Sequence, residues 1–147
     1  MTIPDFLDSG WLPPGHYQAD WDDVVRIFRN GEGSRRASLT DKLLDFRDAL
    51  RAEGVTGVFI LDGSYISGKE VPSDFDIILI ADPNLSSLKE LSQNLQNLLD
   101  AEKCEKERGF SFLFCPNNSS LLDQLSEIWD YTKDGSTSKK GVLEVEL

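Results

Sequence analysis

Val58-Phe59-Ile60-Leu61-Asp62-Gly63-Ser64, a nine-residue spacer, then Asp74-Phe75-Asp76-Ile77-Ile78-Leu79-Ile80 is the stretch on which the fold turns. Val58 to Leu61 is a short apolar run with β-branched and aromatic members, closed by Asp-Gly-Ser, and reads as a buried strand followed by a turn. Asp74 to Ile80 reads as a second strand, stopped at Asp82-Pro83. The spacer, Tyr65 to Ser73, holds Gly68 and Pro72 and reads as a connection. Alternate residues of a strand share a face, so Asp74 and Asp76 present their carboxylates together while Phe75 and Ile77 point into the core. Two carboxylates so placed repel each other unless a cation lies between them, and Mg²⁺ suits oxygen ligands of this kind. Gly63 lets a backbone approach a ligand closely. A Gly-Ser turn can offer amides and a hydroxyl to phosphate oxygens, helped by the N-terminus of a following helix.

Working outward, Trp11-Leu12-Pro13-Pro14-Gly15 is turn-forming and flanked by aromatics, which predicts an N-terminal arm over about residues 1–19 lying on the domain. Trp11, Tyr17 and Trp21 would anchor it. Asp20 is placed to cap a helix carrying Trp21, Val24, Val25 and Phe28, ended by Asn30-Gly31. Gly31 to Ser34 reads as a loop. A second helix is expected from about Leu39 to Ala52, with Leu39, Leu43, Phe46 and Leu50 in one stripe. Leu85, Leu88, Leu91, Leu95, Leu98 and Leu99 predict a longer amphipathic helix after an Asn84 cap. Phe110 to Phe114 reads as a third strand, Leu121 to Trp129 as a further helix, and Leu143, Val145 and Leu147 as the inward face of an edge strand. The expectation is one α/β (α+β) domain over 1–147, a small mixed sheet with packed helices.

Composition narrows the function classes. The chain has 26 acidic and 15 basic residues, a net charge of −11, and such a surface repels phosphate backbones. Polynucleotide binding is therefore disfavoured, whereas a nucleotide is not, because a bound divalent cation inverts the local sign. Cys104 and Cys115 lack metal-ligand spacing and are too few for a disulfide framework, so reduced thiols and a cytoplasmic location are expected. The acidic first ten residues lack a basic segment followed by an apolar core, and no apolar run is long enough for a bilayer, so neither a signal peptide nor a membrane association is expected. His16 stands alone, which excludes multi-histidine metal sites and points to a structural role. Lys69, Lys139 and Lys140 could reach a phosphate but read as solvated loop residues.

The Gly63-Ser64 turn followed by Asp74-Phe75-Asp76 resembles the polymerase β-like nucleotidyltransferase superfamily, whose signature is an apolar residue, Gly-Ser, a spacer, and Asp-x-Asp on a strand. The likeness runs from Val58 to Ile80 and, by strand–helix order, to Phe114. The chain is also similar to a family of small bacterial nucleotidyltransferase-like proteins of unknown function, through Leu12-Pro13-Pro14-Gly15, Asp62-Gly63-Ser64 and Lys140-Gly141-Val142. This resemblance implies Mg²⁺-dependent transfer of a nucleotidyl group from an NTP, with ATP the expected donor, to a protein or small-molecule acceptor. Asp74 and Asp76 would be catalytic and hold the metal, and Gly63 and Ser64 would bind the nucleotide. Toxin–antitoxin and antiviral-defence loci commonly carry such minimal proteins, which implies a partner protein encoded nearby.

One position departs from the superfamily pattern. A third carboxylate usually lies on a later strand, and the matching strand here presents Ser111, a poor metal ligand and a poor base. Either the strand match is displaced, or Asp62 or Asp123 substitutes, or catalysis is weak. Asp62 by itself reads as a strand-end residue. The alternative function is accordingly an inactive or weakly active nucleotidyltransferase-like module that binds a partner, as an antitoxin-like or defence-system regulator.

Overall fold

A computed structural model describes residues 3–31, 33–72, 75–81, 92–116 and 141–147. Its elements run in the order β1 (Gly15–Ala19), α1 (Trp21–Phe28), α2 (Arg35–Ala52), β2 (Gly57–Asp62), β3 (Asp76–Ala81), α3 (Gln93–Leu98), α4 (Ala101–Lys103), β4 (Ser111–Pro116) and β5 (Gly141–Glu146). The strands form one sheet of five in the order β1-β5-β2-β3-β4. β2 is antiparallel to both β3 and β5, whereas β1 runs parallel to β5 and β4 parallel to β3. The parallel step from β3 to β4 needs a crossover rather than a hairpin, and α3 and α4 lie within that connection. The fold is α+β, a mixed sheet with packed helices.

Strand alternation divides the sheet into two unlike faces. Phe59, Leu61, Phe75, Ile77, Leu79, Phe110, Phe112, Leu143 and Val145 join the helix residues Val24, Phe28, Leu39, Leu43, Phe46, Leu50 and Leu95 in one continuous core. Phe46 sits at its centre, stacked on Phe59 at 6.1 Å between ring centroids and edge-on to Phe110 at 5.0 Å and Phe112 at 5.3 Å. Ile60, Ile78, Cys115 and Val142 form a smaller cluster on the opposite face, to which no described helix contributes a residue.

The helix boundaries follow from their caps. Asp20 accepts from the Asp23 amide at 2.8 Å and the Asp23 carboxylate accepts from the Asp20 amide, a reciprocal capping box that starts α1 where expected. α2 begins at Arg35, four residues before the expected Leu39, because the Ser34 hydroxyl accepts from the Ala37 amide at 3.1 Å. Its leading Arg35-Arg36 carries no apolar signal, so periodicity missed the first turn. Ser92 likewise caps α3 through the Leu95 amide, and its extended backbone interrupts the helix expected from Leu85 to Leu99. The earlier part of that helix, with Asn84, lies outside the described residues, as does the helix expected over Leu121 to Trp129.

Two expectations about the sheet are corrected. Gly141–Glu146 is an interior strand between β1 and β2, not an edge strand; its Val142, Leu143 and Val145 are all buried, on both faces. The edge is instead Gly15–Ala19, the end of the segment read as an arm. Parallel pairing to β5 turns these residues into a strand. Two of the expected aromatic anchors, Trp21 and Tyr17, hold this region. Trp21 Nε1 donates to the Glu146 carbonyl at 2.9 Å, and the Tyr17 hydroxyl reaches the carbonyls of Pro13 and Pro14 at 3.0 Å. His16 approaches Glu144 at 3.1 Å, a structural pairing across the edge. No described helix is long and apolar enough to cross a membrane. Cys104 and Cys115 are buried and not joined in a disulfide, and burial raises the pKa of both thiols.

Candidate functional site

Residues 63–75 join β2 to β3 in the chain, and Gly63, Ser64 and Asp76 lie at the end of the strand pair where β2 stops and β3 begins. Asp62, the last residue of β2, is the register partner of Asp76, the first of β3. On the other side of Asp76, Ser111 is its partner in β4. Partners in a sheet share a face, so Asp62, Asp76 and Ser111 stand in a row on the face away from the helices. Both carboxylates are withdrawn from solvent, Asp62 at 3% exposure and Asp76 at 8%, whereas Ser111 is exposed.

Gly63 follows Asp62 with φ +94°, a region that disfavours any residue with a Cβ. A Cβ at this position would stand 3.2 Å from Asp76 Oδ2 and 3.4 Å from the Asp76 amide nitrogen. The glycine therefore serves two purposes, the unusual turn and the close approach to the Asp76 carboxylate. Ser64 begins a single 3₁₀ turn, Ser64–Ile66. One turn has little dipole, so the helix N-terminus expected to attract phosphate is largely missing here. Ser67 closes the turn, its amide and its hydroxyl both donating to the Ser64 carbonyl, at 3.2 and 2.6 Å.

The turn is fastened from the helix side. Tyr65 is fully buried between Phe28 at 5.6 Å and Phe75 at 5.8 Å, and its hydroxyl pairs with Thr40 of α2. Burial pushes the Tyr65 phenol up to about 12, so it stays protonated at any physiological pH. Arg36, only 5% exposed, donates to the carbonyls of Tyr65 at 2.6 Å, Lys69 at 2.9 and 2.6 Å, and Ser67, and more weakly to Phe28 at 3.4 Å. Burial lowers its pKa from the usual arginine value.

Of the residues expected to form the site, the structure sets Gly63 close against Asp76, with Ser64 following Gly63 in the chain. Asp74 lies outside the described residues, as do Asp123, Lys139 and Lys140. Lys69 is exposed. Among the described residues no group of three or more His, Cys, Asp or Glu gathers in a metal-binding arrangement. Asp62 ends β2, as its reading as a strand-end residue expects, but its place opposite Asp76 could not be read from one strand, because register depends on the neighbour. Sequence reasoning passed over Arg36 for want of any apolar pattern around it.

These features define an α+β protein whose sheet carries helices on one face and, on the other, an acidic strand-end pair beside a Gly-Ser turn. The chain belongs to the Family of unknown function (DUF6932), whose profile matches residues 4–146. No curated protein and no solved structure matches it.

Proposed function

We propose that the protein is a Mg²⁺-dependent nucleotidyltransferase acting on an NTP, with ATP the expected donor and a protein or small molecule the acceptor. The observation that carries this reading is the contact of Gly63 with the Asp76 carboxylate, with Asp62 opposite Asp76 on the same face. Asp76, with Asp62 as its register partner, and Asp74, two residues earlier in the chain, are carboxylates of the kind a hard cation such as Mg²⁺ takes as ligands. Asp74 and Asp76 would hold the metal, which when bound offsets the charge of the phosphates and of the departing pyrophosphate. Gly63 and Ser64 would seat the triphosphate. In the transfer, an acceptor oxygen bonds to the α-phosphorus, the bond from that phosphorus to the bridging oxygen breaks, and pyrophosphate leaves with the electron pair. The acceptor proton passes to a carboxylate, for which Asp62 is the candidate. The acidity of the chain favours a protein or small-molecule acceptor over a polynucleotide. A cytoplasmic protein working with a partner encoded nearby is the setting in keeping with this reading.

The test is direct. The full chain, alone and with the product of a neighbouring gene, is incubated with each α-labelled NTP and Mg²⁺, and label transfer is followed. Metal-dependent transfer to protein or small molecule is expected; no transfer from any NTP, to any acceptor offered, counts against the enzyme.

Ser111 favours a second reading, since serine stands where a third carboxylate would lie on β4. In that case the protein is a non-catalytic module that regulates a partner, antitoxin-like or within a defence system. The two readings separate on Asp62. If Asp62 supplies the missing acid, Asp62→Asn lowers Mg²⁺–NTP affinity or transfer roughly 10-fold or more, and adding Ser111→Asp to that variant recovers part of the loss. Ser111 is exposed, so the new carboxylate has little desolvation to bear. Full activity in a folded Asp62→Asn variant, verified by circular dichroism, removes Asp62 from the mechanism.

A further inference from the structure

A guanidinium withdrawn from water normally faces a carboxylate, because burying an unanswered charge is costly. Arg36 does not. Among the described residues its hydrogen-bond partners are all backbone carbonyls, those of Phe28, Tyr65, Ser67 and Lys69. Three of the four belong to alternate residues of the connection that follows Gly63-Ser64. Alternate carbonyls turned toward α2 define the path of that connection almost residue by residue. Only a planar fork with several N–H groups can hold such a set at once, since a lysine ammonium has three donors and no fixed plane. The rings of Phe28 and Tyr65 flank the guanidinium, with its central carbon 6.0 and 5.7 Å from their centroids. Thr40, one turn along α2, adds the tie to the Tyr65 hydroxyl and accounts for the other side of the same segment.

We infer that Arg36 is the positioning residue of the Gly63–Lys69 connection: its fork sets the conformation of the Gly-Ser turn before any ligand arrives, and its charge supplies the positive field beneath that turn. The first half stands on geometry alone. The second rests on the nucleotide reading, and it resolves a difficulty in it. Apart from a bound metal, the single 3₁₀ turn behind Gly63-Ser64 offers little attraction to a triphosphate in a chain of net charge −11. A buried cation whose described partners are all neutral carbonyls keeps its field, and a turn already in its bound shape loses little entropy on binding.

Hydrogen exchange on the native chain and on Arg36→Lys and Arg36→Gln tests the first half. The amides of residues 66–69 all donate hydrogen bonds, to the carbonyls of Gly63, Ser64 and Gly10 and to the Ser67 hydroxyl. They should exchange slowly in the native chain and at least tenfold faster in both variants, with the amides of α1 and β2 unchanged. Unprotected amides at 66–69 in the native chain overturn the inference, whether or not either variant folds. So does unchanged exchange there in a folded Arg36→Lys. Titration with Mg²⁺–ATP, at a temperature where circular dichroism shows the variants folded, tests the second half. Affinity should fall at least tenfold in Arg36→Gln and less in Arg36→Lys, which keeps the charge. A purely structural arginine would lower the unfolding temperature and leave affinity unmoved. A native chain that binds no Mg²⁺–ATP removes the field and the nucleotide reading together, and the exchange result still decides the clamp.

Discussion

Asp74→Asn/Asp76→Asn is expected to abolish metal-dependent nucleotide binding. Asparagine matches aspartate in shape, so the substitution removes charge while leaving the volume at Asp76 filled. Asp76 is 8% exposed and lies against the Gly63 backbone, where any cation held at the strand end would be shielded from competing water. An acidic protein repels a triphosphate unless a cation is held at the site, and the carboxylates are what hold it. Losing an outer partner of a metal ligand already costs roughly 10–100-fold in affinity, so losing two ligands should exceed that. Isothermal calorimetry of the native and double-variant chains with Mg²⁺–NTP, and of the native chain in excess chelator, makes the comparison. Undiminished affinity in either the double variant or the chelator sinks the site.

The largest stability effect is expected at Gly57. It opens β2 with φ +148°, and a Cβ there would lie 2.3 Å from the Ile80 carbonyl oxygen and 2.9 Å from the Ala81 Cα. Neither obstacle is a flexible side chain that could swing away; both are backbone of the adjoining strand β3. Gly57→Ala must therefore push β3 outward or shift the register that places Asp62 opposite Asp76. Overpacking costs about 1–3 kcal/mol, and the unfavourable φ adds about 1–3 kcal/mol. A total near 4 kcal/mol would lower the thermal midpoint by about 10 °C for a domain of this size. Gly54→Ala is the matched control, since Gly54 also has positive φ, +80°, but nothing within 4 Å of a built Cβ. It should show the backbone term alone. Midpoints of the two variants within a degree or two of each other would mean that β2 and β3 are not packed as described.

The connection between β2 and β3 shows why the site was partly legible. Gly63-Ser64 and the spacer to Asp74-Phe75-Asp76 form a local pattern, and the backbone needs at such a turn are local as well. A left-handed φ and a close approach both demand glycine wherever the chain goes next. The same holds for the start of α1, capped by Asp20 and opened by Trp21, and for the buried stripe Leu39, Leu43, Phe46 and Leu50, each visible within a few turns of helix. Ser34 was legible in principle, as a serine three residues before an amide in need of a partner, but the polar first turn of α2 hid it.

Strand order and register were not legible, because they depend on which distant segments meet. Leu143, Val145 and Leu147 alternate as an edge strand would, yet Gly141–Glu146 is interior. Alternation reports that one face is buried; it is silent on whether a neighbour such as Gly15–Ala19 pairs along the outer edge. Asp62 is the same case at the site. Its sequence position made it a strand end, and only the antiparallel register with β3 set it opposite Asp76. The role of Arg36 is further still from the sequence, since its partners lie as much as 33 residues away and are carbonyls, which every residue possesses. Local sequence, through turn chemistry, caps and the period of apolar residues, determined that this chain would form an α+β fold with a Gly-Ser turn leading to an acidic strand. The tertiary structure alone decided which acids are register partners and which cation binds the carbonyls of the connection after the turn, because those depend on contacts between segments whose separate patterns carry no record of one another.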